Sequence, residues 1–506
     1  MDRESAHCCK CNQTVSPETS QENNTSTKKN ANQLIKDFSS YTTVHGLHFI
    51  MDSGALLRRI LWGILMCFSV CFLTVQVYLN LDKLLSRQVT ITKSVEVSKS
   101  LPFPAVTICN QNMMRKSQIM GTIAQDYLDQ LDPVKYKKYG QKSEVPSFDV
   151  EKKVKKTGHQ LDKMMQECSF PGIDCSYAKH FTMATALSFL HGLCYTFNPN
   201  SSTANGKDVT EGQWQGLRLY LNAEPSEYYG PYSYDATGFK VAIHEPGTYH
   251  HIDNVGYDVP PGFSTSIRIR REKFIFQPSP YPSNCGSKKL FNFESYSQPS
   301  CWVECVSKIV AEQCGCRNLG MVPTGKADQR LLEPLYVDMS INLIAGVSAT
   351  RFCNSTEASN CVISSTRNIN AKCDCPPKCE SIQYNVKTSI AYYPSEHGWE
   401  AMIDMHNKTG FNATGFNASD PEQLENLQAD IRKSYAAVTI FYESTSTDVT
   451  EEKPSYNFSD FGTDIGGNVG LFLGCSLLTL CEFIDLIIMV FINKKQKNPV
   501  NDGNKD

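Results

Sequence analysis

The stretch "GLFLGCSLLTLCEFIDLIIMVF" (Gly470–Phe491) decides the architecture. It is apolar and long enough to cross a hydrocarbon core about 30 Å thick at about 1.5 Å per residue. Yet it carries Glu482 and Asp485, and a charge at bilayer depth is costly unless it faces protein or water. On a helix at about 100° per residue, Gly467, Gly474 and Asp485 fall within roughly 20° of one another, with Gly470 about 40° from Gly474 on one side and Glu482 about 80° on the other. Leu473, Leu477, Leu480, Phe483 and Ile487 occupy much of the rest. Such a stripe is either a close-packed helix interface or the wall of a water-filled path whose carboxylates attract cations. Packing explains the glycines but not the acids, so a path is the expectation. One chain with two spans cannot enclose it. Several subunits around an axis can, and the acids then become rings. Ser476 lies about 200° from Gly474 on a continuous helix. If both serve the path, the helix breaks near Gly474-Cys475-Ser476, and an extended break would aim backbone carbonyls inward at a dehydrating cation.

A second apolar stretch, Ile60–Leu79, precedes this one, and the later segment as a whole runs from about Ile465 to Ile492. The chain of 506 residues has a formal charge of −3, which gives no reason to expect nucleic acid as a partner. No signal peptide is expected before the first span, which follows a polar leader. Lys28, Lys29, Lys36, Arg58 and Arg59 precede that span, and Lys494, Lys495 and Lys497 follow the second. By the positive-inside rule both termini are cytoplasmic and the long middle region is outside. The expected boundaries are a cytoplasmic leader 1–54, a first span 55–79, an exterior 80–463, a second span 464–492 and a cytoplasmic tail 493–506, all in the plasma membrane.

Fourteen of the 21 cysteines lie between Cys109 and Cys379. An even, clustered set in an exported region reads as a disulfide framework of seven bridges, with connectivity open. Cys-x-Cys pairs also occur in zinc sites, but an oxidising exterior with few nearby histidines argues for bridges. No metal and no cofactor are expected beyond the permeant ion. Asn-x-Ser/Thr sequons at Asn200, Asn354, Asn407, Asn412 and Asn417 all fall in the proposed exterior and are candidate glycosylation sites.

The leader to about Leu34 is polar and reads as disordered. The exterior reads as mixed α and β. Gly216–Ala223, Gly238–Glu245, Phe263–Glu272 and Tyr435–Ser444 alternate as half-buried strands do. Ser297–Cys316 and Asp420–Tyr435 have helical spacing, the second with an Asp cap and Pro421 in the first turn. "GYDVPPGF" (Gly256–Phe263) reads as a turn-rich connector. No nucleophile–base or metal-ligand motif stands out, so an enzyme is not expected.

Several short motifs together resemble the degenerin/epithelial sodium channel/acid-sensing channel family, from leader to second span. "VHGLHF" carries His45-Gly46, like the family's gating His-Gly; "FPAVTICN" (Phe103–Asn110), "GLCYTFN" (Gly192–Asn198), "GYDVPPGF" and "CDCPPKC" resemble successive exterior signatures; "GLFLGCS" resembles the pore signature with its Gly-x-Ser triplet. The resemblance implies a homo- or heterotrimer with a hand-shaped exterior of palm, knuckle, finger and thumb. It implies the bridges Cys109–Cys194, Cys168–Cys175, Cys285–Cys379, Cys301–Cys375, Cys305–Cys373, Cys314–Cys361 and Cys316–Cys353. It places an extended selectivity belt at Gly474-Cys475-Ser476, Asp464 at the outer mouth, and Thr463 where bulky side chains lock family channels open.

The resemblance also bears on the stimulus. Acid-sensing members carry thumb carboxylates in the interval that is "VISSTRNINAK" here, which holds Arg367 and Lys372 and no acid. Their acidic finger-side pair is reduced to Glu245, and Gln88 stands where they keep a histidine. A carboxylate cluster raises pKa values by mutual repulsion, and dispersing it removes that means of sensing. His244, His250 and His251 remain as groups that could titrate near pH 6.5. The expected function is an amiloride-sensitive, sodium-selective channel opened by an extracellular RFamide-type peptide, with calcium permeability left open. Glu227, Tyr228 and Tyr229 are the expected exposed contacts for that peptide. The alternatives are proton gating or constitutive opening in the same family, or a disulfide-rich receptor without a pore.

Overall fold

A computed structural model describes residues 31–52, 54–132, 145, 148–175, 180–183, 187–197, 208–233, 235–249, 251–293, 295–324, 351–367, 372–399, 402–403 and 421–497. Asn200, Asn407, Asn412, Asn417, His250, the leader up to residue 30 and the Asp420 cap lie outside them. The chain divides into two units, one of Met1–Ser86 with Tyr456–Asp506, the other of Arg87–Ser455.

The helices used below are α1 (Ala31–Tyr41), α2 (Leu47–Met51), α3 (Leu56–Leu85), α4 (Gln298–Cys314), α5 (Pro421–Ser434), α6 (Phe458–Leu473) and α7 (Leu477–Lys497). Of these, α3 alone is long and apolar enough to cross a membrane, and α6 with α7 meets the same test only as a bent pair. The first helix reaches Leu85, beyond the expected Leu79, because "NLDKLL" continues the helical pattern with good helix formers.

The strands of the second unit used below are β1 (Val89–Val97), β2 (Ala105–Asn110), β3 (Met165–Phe170), β4 (Ile173–Asp174), β5 (Phe181–Met183), β6 (Cys194–Phe197), β7 (Leu217–Asn222), β8 (Phe239–His244), β9 (Tyr257–Val259), β10 (Phe263–Ile275), β11 (Glu380–Tyr392) and β12 (Tyr435–Pro454). The larger sheet runs β11-β10-β12-β7-β3-β4, with β1 also paired to β12. Its one parallel pairing is β10 on β12, Ser264 opposite Ala437. The smaller sheet runs β9-β8-β2-β6-β5. Alternation sets the faces: Leu217, Leu219 and Leu221 of β7 are fully buried, as are Ile267 and Ile269 of β10 and Ile440 of β12. The expected connector at Gly256–Phe263 begins as β9, because Tyr257 pairs with Val241 and completes an edge of the smaller sheet.

Seven disulfides pin this unit. Cys109 and Cys194 are direct partners on β2 and β6, and Cys168–Cys175 closes the turn between β3 and β4. Cys285–Cys379, Cys301–Cys375, Cys305–Cys373, Cys314–Cys361 and Cys316–Cys353 form a ladder along α4. Cys301 and Cys305 share one helix face at i,i+4, which aims both at the same partner segment. Ser297 and Ser300 close a capping box at the start of α4, and Gly315 ends it in the left-handed region at φ 64°. Asn354 is half-buried, and its side chain caps the following turn by accepting from the Glu357 N–H at 2.7 Å.

Two expectations about the exterior are corrected. His244 is not a surface group: its ring is buried between Thr107 and the backbone of Glu245. Nδ1–H donates to the Glu245 carbonyl at 3.2 Å and Nε2 accepts from the Thr107 hydroxyl at 2.8 Å, which fixes one neutral tautomer. Burial pushes its pKa down to about 4. The expected peptide contacts are half-buried and already partnered. Glu227 pairs with Arg115 at 3.2 Å and accepts from Ser117, the Tyr228 hydroxyl donates to the Gly238 carbonyl at 3.1 Å, and that of Tyr229 to Asp129 at 2.7 Å. The turn at Pro225–Glu227 folds these side chains back on the core.

His244 yields a pH prediction. Its folded pKa of about 4 lies below the unfolded value of about 6.5. Between the two the unfolded chain binds more protons, so stability falls as pH drops through that window and levels off below it. Denaturation of the full chain in detergent is expected to show wild type losing up to about 3 kcal/mol more than His244→Gln between about pH 6.5 and 4. Parallel pH profiles would contradict the assignment.

Candidate functional site: the break between two helices

The segment that opened the sequence reading is two helices, not one. α6 ends at Leu473, α7 starts at Leu477, and the two axes differ by 73°. Gly474 is the cause. It caps α6 in the left-handed region, φ 66° and ψ 15°, and its N–H closes back on the Gly470 carbonyl at 3.0 Å. A Cβ is disfavoured at that φ, so glycine ends the helix. Ser476 then starts α7: its N–H donates to the Thr479 hydroxyl at 2.8 Å, and its carbonyl accepts from the Thr479 N–H at 3.0 Å. Cys475, between them, is half-buried with its thiol 3.7 Å from the Leu473 carbonyl.

The break sits where the triplet was expected, but its shape differs. The chain enters it through a left-handed conformation at Gly474, where an extended residue was expected. The helical wheel of a single helix therefore does not carry across residue 474, and the shared stripe of Gly467, Gly474, Asp485 and Glu482 is not one face. Gly467, with Gly462 and Gly466, leaves bare backbone on α6 facing open space, and a Cβ on Gly470 would lie 3.6 Å from the Cys475 carbonyl. Asp485 is exposed on α7. Asp464, exposed on the first turns of α6, accepts from the Tyr456 hydroxyl at 2.8 Å, and the Thr463 hydroxyl bonds back to the Ser459 carbonyl at 3.0 Å. Asn457 and Asp460 form the capping box that starts this helix.

Spacing alone gave no sign of what fills the break. Residues Thr42–Gly46, between α1 and α2, thread into it. The His45 N–H donates to the Leu473 carbonyl at 2.9 Å, satisfying one of the orphan carbonyls at the end of α6. The imidazole of His45 lies directly on Gly474, where any added Cβ would overlap the ring. Gly46 is left-handed as well, φ 89°, and its missing Cβ makes room for Met66 and Trp62 of α3. Trp62 stacks on Phe49 at 4.7 Å, and the Arg58 guanidinium covers the same ring at 4.7 Å. Glu482 accepts from the Thr42 hydroxyl and from the Thr43 N–H, each at 3.0 Å. Phe38 of α1, 2% exposed, packs on Phe483 with ring centroids 5.1 Å apart. The His-Gly pair and the Gly-Cys-Ser triplet, far apart in sequence, are thus one constellation.

The family model described as amiloride-sensitive sodium channel matches residues 38–486. An acid-sensing ion channel 4-B of Danio rerio is 27% identical over 91% of this chain and 76% of its own length. The acid-sensing ion channel 2 of Rattus norvegicus is 26% identical over 93% of this chain and 90% of its own. Among solved structures, a cryo-EM structure of a proton-activated chloride channel aligns over 85% of this chain and 96% of that one, at 6% identity and a TM-score of 0.30, a likeness too weak to carry any argument. The chain belongs to the amiloride-sensitive sodium channel family, whose members are plasma-membrane channels assembled from related subunits and not enzymes.

Proposed function

We propose that this chain is one subunit of a trimeric, amiloride-sensitive, sodium-selective channel, homomeric or mixed with related subunits, and opened by an extracellular peptide. In this reading α3 and the bent pair α6/α7 are two spans with both termini cytoplasmic. Gly474, Cys475 and Ser476 form the belt that selects sodium, and Asp464 and Asp485 supply charge along the path. Sodium is the permeant ion, and calcium permeation is a separate question for the same recordings.

The observation that carries the choice of stimulus is a cavity of about 900 Å³ beside α4, whose lining reaches Val362 and Ile363 at the start of the interval where the family's acid-sensing members keep carboxylates. Its walls are apolar, with Phe189, Leu190, Trp302, Val306 and Ile363 among them, and Asp253 is the one carboxylate among its described lining residues. That carboxylate accepts from the Ser188 hydroxyl at 2.6 Å and is flanked by His191 and His251. Burial lowers the pKa of His191 against the opposing pull of Asp253. A lone, partnered acid offers protons little preferential binding. Apolar walls with one carboxylate suit a peptide end that pairs aromatic rings with a cation. Glu245, the other candidate acid, pairs with Lys378 at 3.4 Å. The second reading, proton gating, rests on the names of the relatives.

Current recorded from cells expressing the chain, alone and with related subunits, separates the two. An RFamide-type peptide is expected to evoke an amiloride-sensitive current that Trp302→Ala weakens, and a step from about pH 7.4 to about 5 to evoke little sustained current. Robust acid-evoked current in homomers, with no response to a broad peptide panel in any combination, overturns peptide gating. The belt has its own test. Because His45 already occupies the space beside Gly474, Gly474→Ala is expected to force the ring away and shift the sodium-over-potassium reversal potential or abolish current. An unchanged reversal potential in a conducting Gly474→Leu channel would remove selectivity from this position.

A further inference from the structure

Glu482 was expected to face a water-filled path. Its surroundings give it a different task. One oxygen, Oε2, receives the Thr42 hydroxyl at 3.0 Å, the Thr43 N–H at 3.0 Å and the Thr43 hydroxyl at 3.4 Å. The Thr43 hydroxyl also meets that of Thr479. Thr479 and Glu482 are three residues apart on α7 and so share one face, and Thr479 is 2% exposed. Two residues further on, the His45 N–H is bonded to Leu473, on the far side of the break. The five residues 42–46 therefore stitch the start of α7 to the end of α6.

We infer that Glu482 is a positioning residue: together with Thr479 it clamps Thr42 and Thr43 so that His45 is held against Gly474, and through that contact it fixes the geometry of the break. The inference rests on the proposed role of Gly474-Cys475-Ser476 in selectivity for its functional consequence, but the clamp itself is a structural claim. Charge-assisted hydrogen bonds are about twice as strong as neutral ones and depend on direction. A glutamine keeps an acceptor at the same place and an alanine does not. A pore-lining charge would behave differently, since there the loss of charge is what matters and glutamine is no better than alanine.

Two readouts on the full chain separate the clamp from the belt. The first needs no current. With Val44→Cys in membranes opened to the cytoplasmic side, the rate of maleimide modification at position 44 is read by mass spectrometry. Glu482→Ala is expected to raise that rate roughly tenfold or more, the scale of one charged hydrogen bond, with Glu482→Gln and Thr42→Val each raising it less. Equal rates in Glu482→Ala and in the Val44→Cys parent would overturn the clamp. The second is the sodium-over-potassium permeability ratio. Thr42→Val and Glu482→Ala are expected to be non-additive, the double variant little worse than Glu482→Ala alone. Strict additivity, or a Glu482→Gln channel as impaired as Glu482→Ala, would make Glu482 a pore charge instead. A changed labelling rate with an unchanged ratio would uphold the clamp and count against selectivity at the belt.

Discussion

A missing Cβ at Gly474 is the constraint on which the unit of membrane-capable helices depends. The residue adopts φ 66°, which glycine accepts and other L-residues resist, and the space a side chain would fill belongs to the ring of His45. The first property ends α6 and lets the chain turn by 73° into α7. The second draws the 42–46 segment into the gap, where its backbone satisfies carbonyls that a broken apolar helix would otherwise leave unpaired. In the proposed two-span arrangement, irregular backbone at the break is tolerated only where protein or water covers it. Here the chain's own leader provides the cover. Gly46 repeats the device against Trp62 and Met66 of α3, so two glycines at positive φ hold three helices around one short loop.

The second unit rests on other physics. Its larger sheet buries leucines, isoleucines and valines from β7, β10 and β12, and Tyr442 bonds through that core to the Pro102 carbonyl at 2.8 Å. Away from that core the apolar content is thin: the cluster around α4 is largely cysteine, with Val306, Val310 and Val362 between the bridges. Covalent links replace burial there. They act mainly by restricting the unfolded chain.

Much of this was legible in the sequence where a local rule decides the outcome. Alternation marked β7, β8, β10 and the first half of β12 as strands, although Tyr435–Ile440 proves buried on both faces, and helical spacing marked α4. The fourteen cysteines read as a framework, though spacing could not choose partners. What was hidden depends on contacts between distant residues. The helical wheel assumed a straight helix and so joined Gly467 and Asp485 on one face, which Gly474 prevents. "SEYYGPY" was expected to be exposed, yet Arg115 and Asp129, both remote in sequence, hold its acid and one of its rings half-buried. His244 sits in a strand whose pattern alternates, but the hydroxyl that accommodates it comes from Thr107 on a neighbouring strand. The meeting of His45 with Gly474 had a signal only in the resemblance, which marked both motifs without saying that they touch.

The central claim is that the segment before α2 occupies the helix break within the same chain. Thr43 and Thr479 are in hydroxyl-to-hydroxyl contact there, so a cysteine pair at these positions tests it most directly. Thr43→Cys/Thr479→Cys channels in membranes should form an intrachain disulfide under mild oxidation, identified as a linked peptide by mass spectrometry, whereas either single variant should not. Two cysteines that both react freely with a maleimide and never join would contradict the account.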